Sequence, residues 1–579
     1  MSLLFFVINN PDNQDGYAGL RDKVEGLMQY LSPSIDDSFS SASISEWDDC
    51  VAYIPGGSAS QKSGKSFFFN AFGPVTTIPE RDCPPNAAFR FSNSNEQTIL
   101  AANLVASRTI WYYKDERRVI VSSSQRAIVT FLGEFQLNQQ ALSWMLATGN
   151  LGPGNSWDKR IQHLKPAQTV ILDKKAWSIK DYFRKVESIS DDYPGEERAL
   201  LELAEVFNNS FEWCRNARPD PDTVLTLSGG YDSRAVLYNF LARDYRVPTV
   251  TWGVTSALTE NGTDASVAAA VARELKIQNR YFESDFRESS FEPLLNQFIS
   301  LGEGRLDHIN SFMDGFRMWN QLHNEGVRRV IRADEVFGWV PANNEQDVRI
   351  SLDFHWMEDN ANMHPLDYFG LEPQRYPEEL LRAEAESLGS WRDRLYRSFR
   401  LPYVLTGLHD LIQSYVEVID PLLHDTFINY MRKLPDNFRT GKSLYIKYAK
   451  SVMMDDVPIA IKASIPEPAS ILRSARIVSL MLDEMNAQPT RNMFNGKLIQ
   501  WIEDNLKVDD SLVNVTNNTM AAWVKTHTPW QLKKLLRRDL IRYKADFNQL
   551  AFRVVLSSRM TRKLNEDALA LQKNGGVKS

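Results

Sequence analysis

The sequence predicts an α/β protein with a β-rich first part and a second part in which strands and helices alternate. Over residues 1–190, short apolar runs are separated by polar or turn-forming segments, which is typical of layered antiparallel sheets. From about residue 196, strand-length apolar runs alternate with runs of helical periodicity. That alternation predicts a parallel sheet with helices on both faces. Beyond about residue 380 the pattern is mostly helical.

The composition is that of an ordinary globular chain and excludes several classes of protein. The 579 residues are 43% hydrophobic, and 66 Lys and Arg against 73 Asp and Glu give a net charge of −7. This length suggests about two to four domains. A mildly acidic chain lacks the basic surface that nucleic acids require, so no nucleic-acid partner is expected. Three scattered cysteines are too few for a disulfide framework or a zinc site, which indicates a reducing cytoplasm.

Strands in the first part are predicted from apolar runs that end at turn-forming residues. The run at residues 3–8 is too short for a membrane span or a secretory signal, so it predicts a buried strand and no membrane span is expected. The runs 109–113 and 119–121 flank a charged turn and predict a hairpin. A helix is predicted over residues 138–148. Further strands are predicted at residues 50–54, 67–72 and 168–172.

The second part begins after a linker-like segment at residues 191–195, and its elements alternate in type. The first helix carries Leu203, Phe207 and Phe211 at helical spacing. Asp264 is predicted to be the N-cap of a later helix. The remaining strands are predicted at residues 223–227, 249–252, 280–282 and 327–331, and the remaining helices around residues 236–241, 264–275 and 312–322.

The most informative segment runs from Leu227 to Arg234 with the sequence LSGGYDSR, between a predicted strand and the next helix. Two adjacent glycines allow a sharp turn that brings backbone N–H groups close to an anion. The hydroxyls of Ser228 and Ser233 add donors, and the start of a helix favours negative charge. These features describe a phosphate cradle, although no Gly-Lys-Ser/Thr follows as in the Walker loop. The alternative is an ordinary strand-to-helix turn, where Gly, Ser and Asp are common for local reasons.

This string resembles the pyrophosphate-binding SGGxDS loop of N-type ATP pyrophosphatases, and most of the chain resembles the asparagine synthetase family. Four later segments follow in the family's order: TWG at 251–253, ADEVFG at 333–338, EVIDPLL at 417–423 and PIAIK at 458–462. Residues 122–132 and 164–166 resemble landmarks of the family's amino-terminal glutaminase-like domain. The resemblance implies an Ntn-hydrolase-like αββα domain over residues 1–190. It implies an adenine-nucleotide α-hydrolase-like synthetase domain, with a helical C-terminal part, over residues 191–579.

The resemblance also implies roles for single residues. Asp232 and Asp334 would bind Mg²⁺, which suits hard oxygen ligands and bridging phosphates. Lys462 would stabilise the oxyanion or the departing pyrophosphate, and Glu417 would orient or deprotonate the attacking amine. The residues implied to contact ATP are Leu227, Ser228, Gly229, Gly230, Asp232, Ser233, Gly253 and Lys442.

Each single-residue role has a plainer structural alternative. Asp334 is otherwise an exposed carboxylate at the end of a strand, and Lys462 and Lys442 are otherwise solvated surface lysines. Glu417 is otherwise an interior carboxylate paired with an arginine. The order of the motifs along the chain favours the metal role for Asp334 and the catalytic role for Lys462.

The sequence departs from the family at two places. Glutamine-dependent members carry Cys directly after the initiator Met, whereas position 2 here is Ser2. The first roughly 100 residues also contain neither NGEIYN nor GDxG, the patterns that hold glutamine in the family. These absences predict a glutaminase-like domain that is kept as structure without its reaction. Ile331 stands where β-lactam synthetases have Tyr and asparagine synthetases have Glu, and Arg332 replaces a glycine, which disfavours a β-lactam product.

Without its own ammonia source, the synthetase takes its amine from free ammonia or from the substrate. Family members without the cysteine include β-lactam synthetases and lasso-peptide macrolactam synthetases, which join an amine and a carboxylate of one substrate. The resemblance therefore implies an ATP- and Mg²⁺-dependent, AMP-forming ligase. Its most specific form is macrolactam (isopeptide) closure in a lasso-type peptide natural product, with a leader-peptide-binding protein and a protease as partners.

Three alternatives stay open at this point. The first is a small-molecule amide or β-lactam synthetase, or an ammonia-dependent asparagine synthetase-like enzyme. The second, tRNA thiolation by a related loop, requires catalytic cysteines and a basic face, which are not apparent here. The third is a catalytically silent scaffold. The aromatic interval between Asp334 and Glu417 predicts either a site for a substrate larger than an amino acid or a surface insertion.

Replacing Ser2 tests the prediction that the first domain is silent. We expect Ser2→Ala to leave the rate of amide synthesis unchanged, because no amine is released at the N-terminus. The measurement is product formation with the amine supplied in the substrate or as ammonium. A loss of synthesis in the variant would restore the glutaminase interpretation.

Overall fold

The computed structural model describes most of the chain, and the architecture below refers to those residues. They are 3–12, 19–31, 43–47, 49–54, 61–63, 66–184, 193, 195–215, 217–285, 291–454, 456–465, 471–509 and 543–574. Ser2, and all but two residues of the predicted linker 191–195, lie outside the described residues. None of the helices within the described ranges has the length and apolar character that crossing a membrane requires.

The described strands form two antiparallel sheets followed by one parallel sheet. Their bounds agree closely with the apolar runs of the sequence, and the hairpin predicted around residues 114–118 pairs antiparallel as expected. The strands are β1 (Phe5–Asn9), β2 (Ser43–Trp47), β3 (Cys50–Ile54), β4 (Gln61–Ser63), β5 (Ser66–Phe69), β6 (Phe89–Asn93), β7 (Gln97–Ala102), β8 (Trp111–Lys114), β9 (Arg118–Ser122), β10 (Gln162–His163), β11 (Gln168–Asp173), β12 (Ser178–Phe183), β13 (Thr223–Thr226), β14 (Thr249–Gly253), β15 (Asn279–Glu283), β16 (Arg329–Ile331) and β17 (Glu417–Ile419).

Helices cover the parallel sheet and account for most of the chain after β17. The α-helices are α1 (Leu20–Leu31), α2 (Gln125–Leu132), α3 (Gln139–Thr148), α4 (Glu196–Phe211), α5 (Tyr231–Leu241), α6 (Asp264–Glu274), α7 (Phe291–Gly302), α8 (Arg317–Asn324), α9 (Glu345–Ser351), α10 (Leu388–Leu395), α11 (Thr406–Ile412), α12 (Asp425–Lys433), α13 (Asp436–Arg439), α14 (Ser443–Val452), α15 (Ala475–Asn486), α16 (Gln488–Met493), α17 (Gly496–Glu503) and α18 (Phe547–Asn574). A π-helix at Tyr396–Leu405 runs directly into α11 and contains Pro402, which cannot donate a backbone hydrogen bond.

The two antiparallel sheets pack face to face in the first part of the chain. One has the order β10-β8-β9-β1-β3-β2 and the other β12-β11-β7-β6-β5-β4. Phe6 of the first sheet stacks on Phe91 of the second, with ring centroids 3.8 Å apart. Strand alternation turns Phe5 and Val7 to the opposite face, where α1 and α2 cover them. This arrangement makes one helical layer and two sheet layers.

The outer face of the second antiparallel sheet differs from the expected αββα layering. In the described residues, Phe68, Ile99 and Ile171 on that face are covered by Ala71, Cys83 and Ala87 of an irregular segment. A loop therefore stands where the sequence analysis expected a fourth, helical layer.

The parallel sheet has the order β15-β14-β13-β16-β17 with β13 at its centre. Side chains alternate between its faces, so that Val224 packs against α7 and α8 while Leu225 packs against α4 and α5. The predicted α/β sheet flanked by helices is thereby confirmed. The chain leaves β13 towards β14 on one side and returns to β16 on the other, which opens a crevice at the carboxyl ends of these strands.

Two predicted helix starts are wrong in detail. The N-cap of α6 is Thr263, whose hydroxyl accepts a hydrogen bond from the Ser266 N–H, and Asp264 is the first helical residue. The helix expected over residues 312–322 begins only at Arg317, because Phe316 adopts a left-handed backbone with φ near 60°. Thr263 and Asp264 are both short polar residues that can cap a helix, which leaves the start of α6 ambiguous by one residue in the sequence.

Part of the aromatic interval between Asp334 and Glu417 packs in the interior, whereas Tyr368 in the same interval is 54% exposed. Phe354 is fully buried and contacts Trp144 of α3, with ring centroids 5.6 Å apart, and Phe399 at 4.8 Å. Tyr376 lies 4.7 Å from the same Trp144 ring. These rings join the first part of the chain to the second, so this part of the interval is not a surface insertion.

The last helix returns to the first part of the chain and is held there by a buried ion pair. On α18, Asp567 is completely buried and accepts two hydrogen bonds from Arg126 of α2, at 2.6 and 2.9 Å. The Tyr30 hydroxyl of α1 donates to the same carboxylate at 2.8 Å. Although burial opposes ionisation, Arg126 and Lys563 hold the pKa of Asp567 below its ordinary value.

Replacing Asp567 should destabilise the protein strongly. Asp567→Asn leaves the Arg126 guanidinium buried without its counterion, and we expect a loss of about 3 kcal/mol in the free energy of unfolding. The measurement is urea unfolding near neutral pH. Since the folded pKa is depressed, the stabilisation is present above a pH of about 4 and is lost as the pH falls through the folded value.

A control on the same helix separates this effect from charge removal in general. Glu566 is 69% exposed and lies 3.8 Å from Lys563. We expect Glu566→Gln to change stability by less than about 0.5 kcal/mol. Equal losses in the two variants would contradict a structural role for the Arg126–Asp567 pair.

Candidate functional site

The loop after the central strand β13 is closed by its own two serines. The Ser228 backbone N–H donates to the Ser233 hydroxyl at 3.0 Å, and the two hydroxyl oxygens are also 3.0 Å apart. The Gly230 N–H points at the Ser228 hydroxyl at 3.3 Å. Leu227 is buried and hydrogen-bonds to β14 through its N–H. The loop therefore places two serine hydroxyls and two glycines at the start of α5, where the end of a helix favours an anion.

A second segment crosses directly over this loop and requires a glycine there. The Ala460 N–H donates to the Gly229 carbonyl at 3.0 Å. A Cβ added to Gly229 would lie 2.4 Å from the Ala460 Cβ, so no larger residue fits without displacing the segment. Gly253 at the end of β14 is packed in the same way, since an added Cβ would lie 2.5 Å from the Ser464 Cβ. Asp264 of α6 accepts from the Gly229 N–H at 3.1 Å.

Lys442 joins two carboxylates beside the loop. Its ammonium lies 2.9 Å from Asp232 Oδ2 and 2.9 Å from Glu335 Oε1. Lys442 adopts a left-handed backbone directly after Gly441, at φ angles of 58° and 65°, and this turn directs it at the carboxylates. Although burial opposes it, Glu335 and Asp232 raise the pKa of Lys442, while burial raises the pKa of Glu335 to about 7.

Asp334 lies next to this pair and has its own cationic partners. His409 Nε2 is 2.6 Å from Asp334 Oδ2, and Arg332 Nε is 3.2 Å from the same oxygen. Against the effect of burial, Arg332 and His409 hold the pKa of Asp334 well below its ordinary value. The other ring nitrogen of His409 lies 3.3 Å from Asp420 Oδ2, and burial raises the pKa of Asp420 to about 6.

The sheet explains why these residues meet. Ser228, Asp334 and Asp420 each follow a parallel strand, namely β13, β16 and β17, and the carboxyl ends of parallel strands share one edge. Lys442 and His409 come from α14's N-terminus and from α11, which pack against that edge. The site is thus at the point where the strand order reverses.

The carboxylates in this crevice fit a divalent cation. Among the described residues, Asp232 Oδ1 is a buried oxygen without a hydrogen-bond partner. The oxygens of Asp334 and Asp420 and a nitrogen of His409 lie within 4.8 Å of one another. Hard oxygen donors of this kind bind Mg²⁺ together with substrate phosphates. The residues that could hold such an ion are Asp232, Asp334, Asp420 and His409.

Two predicted catalytic residues are not brought into this cluster. Glu417 is the first residue of β17 and pairs in register with Arg329, the first residue of β16, so it lies at the amino edge of the sheet. Its surroundings include Arg108, as the interior ion-pair alternative expected. Lys462 pairs through its backbone with Thr263, directly before α6, and its half-exposed side chain contacts Glu260.

The sequence analysis missed three residues of the cluster. Glu335 and Asp420 lie inside segments that were identified, and their positions after strands were a signal for them. His409 carries no such signal, since it lies on a helix far from any motif. All three cysteines, Cys50, Cys83 and Cys214, are buried and unpaired, and burial raises the pKa of each thiol.

Comparison with known proteins bears on the second part of the chain. No curated protein sequence matches the chain. Among solved structures, the U34-tRNA thiolase NcsA from Methanococcus maripaludis with its 4Fe-4S cluster is similar at 12% identity over 56% of this chain and 84% of that chain. Its TM-score of 0.19 carries no argument about fold or function. Residues 203–461, a little under half of the chain, match the family model described as asparagine synthase. This segment, which contains the loop, Asp334, His409 and Lys442, is similar to asparagine synthase.

Proposed function

We propose that this chain is an AMP-forming amide-bond synthetase that adenylates a substrate carboxylate and joins it to an amine of the same substrate. The proposal is based on the loop Ser228–Ser233 after β13 and on the Asp232–Glu335–Lys442 cluster beside it. Both lie at the switch point of the sheet. The family match supports an ATP-dependent amide-bond synthetase in general. A carboxylate and an amine do not condense unaided at neutral pH, so activation by ATP precedes attack.

The loop would bind the phosphates of ATP, and Lys442 would change partners when they arrive. The Ser228 and Ser233 hydroxyls would donate to phosphate oxygens, and the Gly229 and Gly230 N–H groups would join them by leaving Asp264 and the Ser228 hydroxyl. Lys442 is held beside the loop by two carboxylates, so an arriving phosphate offers it a third anionic partner without a change of backbone. Gly253 and Leu227 would form the wall on the adenosine side.

Asp232 and Asp334 would hold Mg²⁺ at the carboxyl edge. When bound, the ion neutralises charge on the phosphates and on the departing pyrophosphate. Asp232 already has an unpartnered buried oxygen for this purpose. Lys462, on the segment that crosses the loop, would turn from Glu260 towards the pyrophosphate. Glu417 begins β17 at the amino edge of the sheet, and we assign no base for the amine within this cluster.

The most specific form of the proposal is macrolactam closure in a lasso-type peptide in the cytoplasm, assisted by a leader-peptide-binding protein and a protease. A tethered amine attacks the acyl-adenylate at high effective molarity, which replaces delivery of free ammonia. Incubation with ATP, MgCl₂ and a precursor peptide would yield a product lighter by one water. Turnover only with ammonium and a free amino acid would instead identify the ammonia-dependent alternative.

Asp232→Asn should abolish turnover while preserving the fold. The amide keeps the shape but removes the negative charge, and we expect pyrophosphate release to fall by at least about 100-fold. Pyrophosphate is measured in a coupled assay, and thermal unfolding checks the fold. Asp244→Asn, at a position 91% exposed, is the control and should be fully active. Unchanged release in Asp232→Asn would remove Asp232 from the metal site.

Lys442→Ala should reduce pyrophosphate release by about 100-fold or more, because a charged donor to the phosphates is lost. Lys447→Ala is the matched control on α14. In the described residues, Lys447 forms its ion pair with Glu196, and both side chains are about half exposed. We expect the control to keep its activity. Similar rates for the two variants would show that Lys442 serves only to neutralise Asp232 and Glu335.

A further inference from the structure

His409 is held between two carboxylates with both ring nitrogens engaged. Nε2 lies 2.6 Å from Asp334 Oδ2, and Nδ1 lies 3.3 Å from Asp420 Oδ2. The side chain is only 3% exposed. In proteins, a metal-ligating imidazole binds the ion through one ring nitrogen and donates a hydrogen bond through the other, often to a carboxylate. His409 has one carboxylate on each side, and the Asp334 oxygen is one that could also bind an ion.

The backbone on both sides fixes this ring. His409 is the fourth residue of α11, which continues the π-helix Tyr396–Leu405. Gly407 in the same turn packs so closely on Leu306 that an added Cβ would lie 2.8 Å from a Leu306 methyl carbon. Asp420 follows β17 directly, and the Arg332 N–H bonds to the Ile419 carbonyl at 2.9 Å. The donors of this group are therefore preorganised.

Two buried oxygens here have no partner in the described part of the chain. They are Asp420 Oδ1, in a side chain only 5% exposed, and Asp232 Oδ1. Leaving a buried carboxylate oxygen without a partner is unfavourable. A bound ion or an ordered water is one way in which such an oxygen gains a partner. Both oxygens are negatively charged or polar acceptors on residues that line the site of the proposed ion. A hydrated cation is therefore the ligand that fits them.

We propose that His409 is a direct ligand of the divalent cation at this centre, binding through Nε2 beside Asp334 while Asp420 holds the ring through Nδ1. The ring then carries its proton on Nδ1 and donates it to Asp420, and any proton on Nε2 leaves to solvent. Two donors about 2.1 Å from an ion at right angles are about 3.0 Å apart. The present separation of 2.6 Å therefore has to open by only a few tenths of an ångström.

A nitrogen donor changes which ion this centre prefers. Carboxylate oxygens suit Mg²⁺ and Mn²⁺, whereas an imidazole ligand shifts the preference towards Fe²⁺, Ni²⁺, Cu²⁺ and Zn²⁺. Arg332 shares the same Asp334 oxygen, and its side chain is 27% exposed, so it can move outward into solvent as the ion enters. The inference rests on the proposed function in taking Asp334 as a metal carboxylate, and it adds a histidine nitrogen to the ligands of that ion.

Pulsed electron paramagnetic resonance on the full chain with MnCl₂ and no nucleotide tests the proposal. Histidine nitrogen bound to Mn²⁺ gives a ¹⁴N modulation, and growing the protein with ¹⁵N-histidine should convert it to the ¹⁵N pattern without any mutation. Absence of nitrogen modulation from bound Mn²⁺ would overturn the proposal and leave an oxygen-only metal site intact. Absence of Mn²⁺ binding would overturn it as well.

Variants assign the nitrogen to one of the eight histidines. His409→Gln should abolish the modulation and weaken Mn²⁺ binding at least about 10-fold, and Asp420→Asn should weaken it about 10–100-fold by releasing the ring. His323→Gln is the control. This buried histidine hydrogen-bonds to the carbonyl of Tyr415, which precedes β17 and so lies at the edge of the sheet opposite to the proposed ion. Modulation that survives His409→Gln in a folded variant would contradict the assignment.

The outcome is separable from that of the proposed function. Nitrogen modulation without any ATP-dependent pyrophosphate release would support the metal ligand and refute the synthetase. Pyrophosphate release together with Mn²⁺ binding that shows no nitrogen modulation would support the synthetase and refute His409 as a metal ligand. Thermal unfolding of each variant excludes loss of the fold as the cause.

Discussion

The structure depends on neutralising a set of carboxylates that the parallel sheet gathers at one edge. Asp232, Asp334, Glu335 and Asp420 follow β13, β16 and β17 closely and are largely withdrawn from water. Buried charges of one sign are expensive unless each has a partner. Lys442 forms ion pairs with Asp232 and Glu335, while Arg332 and His409 form ion pairs with Asp334. The three cations and the four carboxylates therefore form one connected network.

In the proposed function, this network of opposite charges would admit a nucleotide at little electrostatic cost. A phosphate chain would bring negative charge and a divalent ion would bring positive charge, so their joint entry would change the net charge of the site little. Lys442 would then pass to phosphate as the ion takes its place on Asp232. The ion pairs at the edge are in this sense exchangeable, unlike the Arg126–Asp567 pair, which has no access to solvent on the carboxylate side. The same chemical pairing thus stabilises the fold in one place and prepares a site in another.

Sequence reasoning predicted the parts of this arrangement that are local. The turn from Leu227 to Ser233 is encoded by consecutive small residues, and the strands by uninterrupted apolar runs, so both were found with nearly correct bounds. His409 was not predictable, because its approach to Asp334 spans 75 residues and is set by how α11 packs on the sheet. Glu417 was assigned to catalysis from its motif, whereas its position as the first residue of a parallel strand puts it at the opposite edge.

The expected αββα layering failed for a related reason. The outer face of the second antiparallel sheet needs an apolar cover, but alternation along the strands does not say whether a helix or a loop supplies it.

The first part of the chain has a structural role that does not require its own reaction. Glu303, which directly follows α7, accepts hydrogen bonds from the Gln125 and Arg126 N–H groups at 3.0 and 3.2 Å, and so caps α2 from the second part of the chain. Because α7 covers one face of the parallel sheet, α2 and the antiparallel sheets beneath it support that face. The first part of the chain therefore helps to hold the sheet whose carboxyl edge carries the clustered carboxylates, whether or not it has a reaction of its own.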